Sequence, residues 1–154
     1  MGKLIAILED NADRVAVMRR WLADRLGMYE HFVTDDPDTL IEYIRPRLDD
    51  VLAVSLDHDL HERPDGNTEV TGMAVVDYLT ATRPGFPVLI HSSNSRAVGE
   101  MRERLRSKDW VVVAVTPFDD TNWIGDDWYP ALKRTLRRFT QPEPVAAPDG
   151  DGSD

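Results

Sequence analysis

The chain contains no cysteine, which excludes disulfides and thiol chemistry and accords with a reducing compartment. No apolar run approaches the roughly 18–20 residues of a membrane-spanning helix. No basic leader followed by an apolar stretch precedes the first strand-like run, so no secretory signal is expected. These absences predict a cytoplasmic domain. Positive charge is also scarce: 28 acidic residues stand against 18 basic ones, a formal net charge of −10. Residues 141–154 hold four of those acids and no Lys or Arg, which leaves residues 1–140 at −6. Over most of such a surface a duplex nucleic acid or an anionic membrane is repelled. With 154 residues, 42% of them hydrophobic and 30% charged, the chain has the length and composition of one globular domain with one core.

Short apolar runs alternate with segments of helical period, the pattern of βαβ units and a parallel sheet. Leu4–Leu8 reads as the first strand. Residues 11–26 then place Val15, Met18, Leu22 and Leu26 on one helical face, with Gly27 as the stop. Glu30–Thr34 is a weak strand suited to an edge. Asp36 and Pro37 form an N-cap and first helical position for a helix to about Ile44, with Pro46 ending it. Val51–Leu56 is the third strand, and Pro64-Asp65-Gly66 marks a turn in the polar stretch behind it. Thr71 is placed to cap a helix burying Met73, Val76 and Leu79. Residues 87–90 form strand four, a helix with Val98, Met101 and Leu105 follows, and residues 110–115 form strand five. A last helix aligns Trp128, Leu132, Leu136 and Phe139, with Lys133, Arg134, Arg137 and Arg138 as its solvated, dipole-compatible cations. Residues 141–154, rich in Pro, Gly, Ala and Asp, are expected to be a disordered acidic tail behind a single domain at residues 1–140. The predicted fold is α/β: a doubly wound, five-stranded parallel sheet of order 2-1-3-4-5.

The chemistry-bearing residues stand where four of these strands end. In an open parallel sheet, ligands bind outside the carboxyl ends of the strands, so these residues converge. Strand one ends in Glu9 and Asp10, strand three in Asp57, His58 and Asp59. Strand four ends in His91, Ser92, Ser93 and Asn94, and strand five in Thr116, Pro117 and Phe118. Three like charges at Glu9, Asp10 and Asp57 call for compensation, most simply by a hard divalent cation such as Mg²⁺ or Mn²⁺. The alternative is ordinary loop acids facing water. Ser92, Ser93, Asn94 and Thr116 offer donors for phosphate oxygens, although serines after a strand often only form turns, and Ser95 reads as a helix cap. His58 and His91 are candidates for acid and base, the imidazole being the group that exchanges protons near neutrality. His61 reads better as a polar packing residue.

In this order the motifs resemble the receiver domain of bacterial response regulators, from Lys3 to about Phe139. The resemblance implies a receiver (flavodoxin-like) topology. It makes Glu9 and Asp10 the acidic pair, Asp57 the phospho-accepting aspartate, Asp59 the backbone carbonyl of a Mg²⁺ site and Ser92 the strand-four hydroxyl. Three departures stand out. Thr116 replaces the strand-five lysine although Pro117-Phe118 continues as expected. The proline usual shortly after the aspartate is missing. Histidines appear in the strings Ser55-Leu56-Asp57-His58-Asp59-Leu60 and His91-Ser92-Ser93-Asn94. These departures resemble the cyclic-phosphate processing receiver group, which implies action on cyclic or terminal phosphates of a nucleotide or RNA end. Without the lysine a phospho-aspartate switch is handicapped, so the expectation is a metal-dependent phosphate-processing domain, a phosphoesterase or phosphotransfer domain. Its catalytic residues would be Asp57, His58 and His91, its metal residues Glu9, Asp10, Asp57 and Asp59, and its partner a small phosphate-containing substrate. The alternatives are a stand-alone receiver taking phosphate from a phosphodonor on Asp57, with a protein partner, and a non-catalytic interaction module.

Overall fold

Five parallel strands, β1 (Leu4–Leu8), β2 (Glu30–Thr34), β3 (Val51–Leu56), β4 (Val88–His91) and β5 (Val112–Val115), form one sheet in the order β2-β1-β3-β4-β5. This computed structural model describes residues 2–60 and 71–140. Each strand is joined to the next by a helix: α1 (Ala12–Arg25), α2 (Pro37–Ile44), α3 (Met73–Thr80) and α4 (Ser95–Arg106), with α5 (Tyr129–Thr140) closing the described chain. None of the described helices is long and apolar enough to cross a membrane.

Alternation along the strands builds two cores. Leu4, Ala6 and Leu8 pack with Val54, Leu56, Val88 and Ile90 against α2, α3 and α4. Ile5, Ile7, Ala53, Leu89 and Val115 turn the other way, toward Met18 and Leu22 of α1 and Leu132 and Leu136 of α5. Both faces of β1 are covered, which is why it reads as an unbroken apolar run. β2 is the edge strand expected from its polar composition.

Several boundaries differ from the sequence expectation, each for a local reason. Pro46 does not end the winding, because a proline fits the start of the 3₁₀ segment Arg45–Asp50 that follows α2. β4 extends one residue further, so His91 is a strand residue paired with Val115. β5 starts at Val112, leaving buried Trp110 packed edge-on against Phe86. The cap of α4 is Asn94 rather than Ser95, its side-chain oxygen accepting from the Ala97 amide at 3.1 Å. At α3 the cap position is Gly72, and Thr71 Oγ1 accepts from the Met73 amide at 3.2 Å. A π-helical turn, Ile124–Trp128, precedes α5 and buries Ile124 and Trp128. His61, the Pro64-Asp65-Gly66 turn and residues 141–154 lie outside the described residues.

Candidate functional site

The backbone ladder brings the acids together. Glu9 N–H donates to the Thr34 carbonyl and Asp57 N–H to the Leu8 carbonyl, each at 3.0 Å, which carries the strand pairing one residue past β1 and β3. Glu9 and Asp57 are buried and Asp10 is half-buried. Carboxylate oxygens of these three residues lie within 4.8 Å of one another.

Their charges are unequally served. Glu9 Oε2 accepts from the backbone amides of Asp10 at 2.8 Å and Asn11 at 3.1 Å. Its Oε1 faces Arg14 Nη1 and His91 Nε2, each at 3.4 Å. Burial pushes the Glu9 carboxyl up, but the His91 imidazole and the amides prevail and hold it at about 2. Asp57 has the opposite fate. Burial, reinforced by the charge of Glu9, drives it up to about 8, with Arg14 opposing. A carboxyl that keeps its proton at neutral pH beside an ionised neighbour marks a pocket short of positive charge. Hard oxygen donors at this spacing fit a divalent cation of the Mg²⁺ type, with Glu9, Asp10 and Asp57 as the residues that would hold it.

Strand parity explains what surrounds them. Glu9, Asp57, Ser55 and His91 share the sheet face of Ile5, Ala53 and Leu89, the side covered by α1 and α5. His91 is fully buried. Its Nδ1 lies 2.7 Å from Ser55 Oγ, which also accepts from the Trp128 indole N–H at 2.9 Å. Its Nε2 is within ion-pair distance of Glu9 but off-line for a hydrogen bond. A polar relay thus runs Trp128–Ser55–His91–Glu9 beneath the acidic pocket.

The other predicted residues take distinct places. His58 Nδ1 lies 2.7 Å from Asp59 Oδ1. A carboxylate only accepts, so Nδ1 is the donor in this contact. The Asp59 side chain is exposed and turned toward His58 and Asn94 Nδ2, the latter at 3.4 Å. Ser92 is buried and its Oγ accepts from the Asn94 amide at 3.1 Å. Ser93 is exposed and lines a cleft of about 920 Å³ with Asn11, Arg14, Arg20, Phe118 and Asp119. Thr116 is exposed at the end of β5, just before that cleft wall.

Four contributors escape a motif reading. Arg14, in the first turn of α1, reaches Asp57 Oδ2 at 3.9 Å and lies over the Trp123 ring at 5.3 Å. Trp123 is fully buried, and its indole N–H donates to the Asp120 carbonyl at 3.0 Å. This ties down a loop whose Asp119 and Asp120 both have positive φ, 45° and 53°. Gly72 packs on Asp57 so closely that a Cβ would sit 2.0 Å from the Asp57 carbonyl oxygen. Ser55 was legible by period alone, two residues before Asp57 on the same face. For Arg14, Trp123 and Gly72 the sequence carries no comparable signal.

A family model described as "Cyclic-phosphate processing Receiver domain" matches residues 7–107, a span that holds every predicted site residue except Thr116. None of the curated proteins compared with the chain matches it significantly. Among solved structures, a phosphorylated cyanobacterial phytochrome response regulator, RcpA, is similar at 17% identity and TM-score 0.71, covering 92% of this chain and 99% of that one. The response regulator domain of Thermotoga maritima CheB is similar at 11% identity and TM-score 0.63, covering 92% and 100%. The receiver domain of an HD domain-containing protein from Pseudomonas fluorescens is similar at 11% identity and TM-score 0.64, covering 90% and 98%. At these identities the likeness is one of fold.

Proposed function

Because the chain belongs to the cyclic-phosphate processing receiver domain family, we propose that its strand-end pocket is a metal-dependent phosphate-processing site acting on cyclic or terminal phosphates of a nucleotide or RNA end. The observation that carries this reading is the convergence of Glu9, Asp10 and Asp57 within 4.8 Å, at the carboxyl edge of the sheet. Bound there, Mg²⁺ or Mn²⁺ would supply Lewis acidity toward a phosphoryl oxygen.

The chain's own residues divide the remaining work. Asp57, once its proton is lost to solvent, would join Asp10 and Glu9 as oxygen ligands, with the Asp59 carbonyl as the fourth contributor implied by the receiver pattern. Ser92, Ser93, Asn94 and Thr116 are the donors available to phosphate oxygens. Asn94 offers only its amide nitrogen, since its oxygen caps α4. His58 is the direct proton carrier: Asp59 orients it through Nδ1, leaving Nε2 to take or return a proton. His91 has no exposed surface and acts through Glu9, fixing its charge and position.

A second reading follows from the same carboxylate. Asp57 ends β3 in a receiver fold, and one structural relative, RcpA, is described as phosphorylated; a small phosphodonor could then label Asp57 itself, with a protein partner reading the change. Against it stands Thr116, which supplies no cation to a phosphoryl group. Incubation with a panel of 2′,3′-cyclic nucleotides and with acetyl phosphate, each with Mg²⁺, separates the two. Ring opening or phosphate release that is lost in Asp57→Asn supports processing. Stoichiometric labelling of Asp57 without turnover supports the switch. Neither product would leave a non-catalytic interaction module.

A further inference from the structure

We propose that Arg14 is a phosphoryl-oxygen-binding residue, supplying from α1 the positive charge that Thr116 does not supply from β5. The inference rests on the phosphate-processing reading and adds to it a cation that no motif marks. The chain has three lysines, Lys3, Lys108 and Lys133. Lys3 and Lys108 precede β1 and β5, at the opposite edge of the sheet, and Lys133 lies within α5. Among the described residues, the Arg or Lys paired with Glu9 and Asp57 is Arg14.

Three observations distinguish Arg14 from a resting counter-ion. First, its contacts are long, 3.4 Å to Glu9 and 3.9 Å to Asp57, beyond the range of a committed charge-assisted hydrogen bond. Arg104 meets Asp77 at 2.6 Å; the pairs as loose as those of Arg14, Lys3–Asp50 at 3.9 Å and Arg96–Glu100 at 3.7 Å, join far more exposed side chains, whereas Arg14 faces two buried acids. Glu9 is already served by two amides and His91, and does not need the guanidinium. Second, only Nη1 of Arg14 is engaged; among the described residues Nη2 and Nε make no hydrogen bond. Third, the side chain is a quarter exposed and opens into the cleft it shares with Ser93 and Phe118. Its guanidinium lies over the buried, hydrogen-bonded Trp123 ring, so it is oriented before any ligand arrives. Free donors, a fixed platform and access from solvent are what bidentate recognition of a phosphoryl group requires.

The test is a calorimetric titration of the full chain with Mg²⁺ alone, then with beryllofluoride at saturating Mg²⁺. Arg14→Ala is expected to weaken beryllofluoride binding about tenfold or more, the size expected for a lost hydrogen bond to a charged group. Mg²⁺ affinity should stay the same or rise, since a competing cation is gone. The double variant Arg14→Ala with Thr116→Lys should recover part of the loss. Arg14→Gln, neutral and of similar size, serves if the alanine variant does not fold, with the same expectations. Beryllofluoride binding unchanged in Arg14→Ala, with tighter Mg²⁺ binding, would reduce Arg14 to a counter-ion and overturn the proposal. So would equal weakening of both ligands, which marks a structural role. If the unsubstituted chain takes no beryllofluoride with Mg²⁺ present, inorganic phosphate replaces it as the probe with the same expectations, and binding of neither overturns the site reading and this inference with it. Arg14-dependent binding with no turnover of cyclic phosphates would remove the substrate reading and leave Arg14 in place.

Discussion

His91 Nε2 lies 3.4 Å from Glu9 Oε1, and neither side chain has any exposed surface. This buried contact joins the polar relay from Trp128 and Ser55 to the floor of the acidic pocket. Truncating His91 therefore acts on the fold as well as on the chemistry. His91→Ala should cost about 2 kcal/mol of stability, the scale of stranding buried polar partners. Thermal or urea denaturation measures it. A variant as stable as the parent would show that the relay contributes nothing net.

His58 offers the contrasting case. It sits at the rim with its side chain partly exposed, paired to exposed Asp59. His58→Ala should leave the melting temperature and the Mg²⁺ affinity unchanged while cutting turnover of a confirmed phosphate substrate about a hundredfold or more. Full activity in that variant removes the acid–base role assigned here.

Divalent metal should stabilise the protein by binding Glu9, Asp10 and Asp57 of the folded chain in place of the Asp57 proton. Mass action sets the gain at about 2.7 kcal/mol for a hundredfold excess over the dissociation constant. Asp10→Asn and Asp57→Asn should each shrink the Mg²⁺-induced shift in melting temperature. A shift that is full-sized in both variants places the metal elsewhere.

The metal-free protein should lose stability as pH rises. Asp57 lies near 3.8 when unfolded and about 8 when folded, so the native state holds an extra proton between those values. That contribution is fully present below the unfolded value and gone above the folded one. Glu9, lowered from 4.5 to about 2, works in reverse: its contribution is present above 4.5 and lost as pH falls through about 2. Melting curves taken across the Asp57 window without metal should therefore decline toward the alkaline end, and Asp57→Asn should flatten them. A parent protein already flat across that window contradicts the burial of Asp57 as a protonated acid.

Gly72 should tolerate no side chain. An alanine Cβ would meet the Asp57 carbonyl oxygen at 2.0 Å, and backbone on both sides must move to admit it. Gly72→Ala should cost about 1–3 kcal/mol and weaken Mg²⁺ binding by displacing the Asp57–Asp59 turn. Unchanged metal affinity would show that the chain can relax there without disturbing the pocket.

Much of this architecture is written in local pattern. Buried parallel strands are continuous apolar runs, helices show one apolar stripe, and Asp36-Pro37 specifies a cap through its own chemistry; such signals survive without tertiary context. The strand-end rule then converts sequence position into spatial convergence, which is why Glu9, Asp10 and Asp57 could be grouped before any coordinates. Period two puts Ser55 and Asp57 on one face of β3, but that His91 shares this face is set by the register between β3 and β4. What only the tertiary structure decided are contacts between elements remote in sequence. Arg14 meets Asp57 because α1 packs on the same sheet face, and the Trp123 ring beneath it comes from the far end of the chain. Gly72 is obligatory because its own backbone lies against the Asp57 carbonyl. Whether a carboxyl sits at about 2 or about 8 likewise depends on burial and on neighbours brought from other strands. Those are properties of distance through space, and a one-dimensional pattern carries no measure of it.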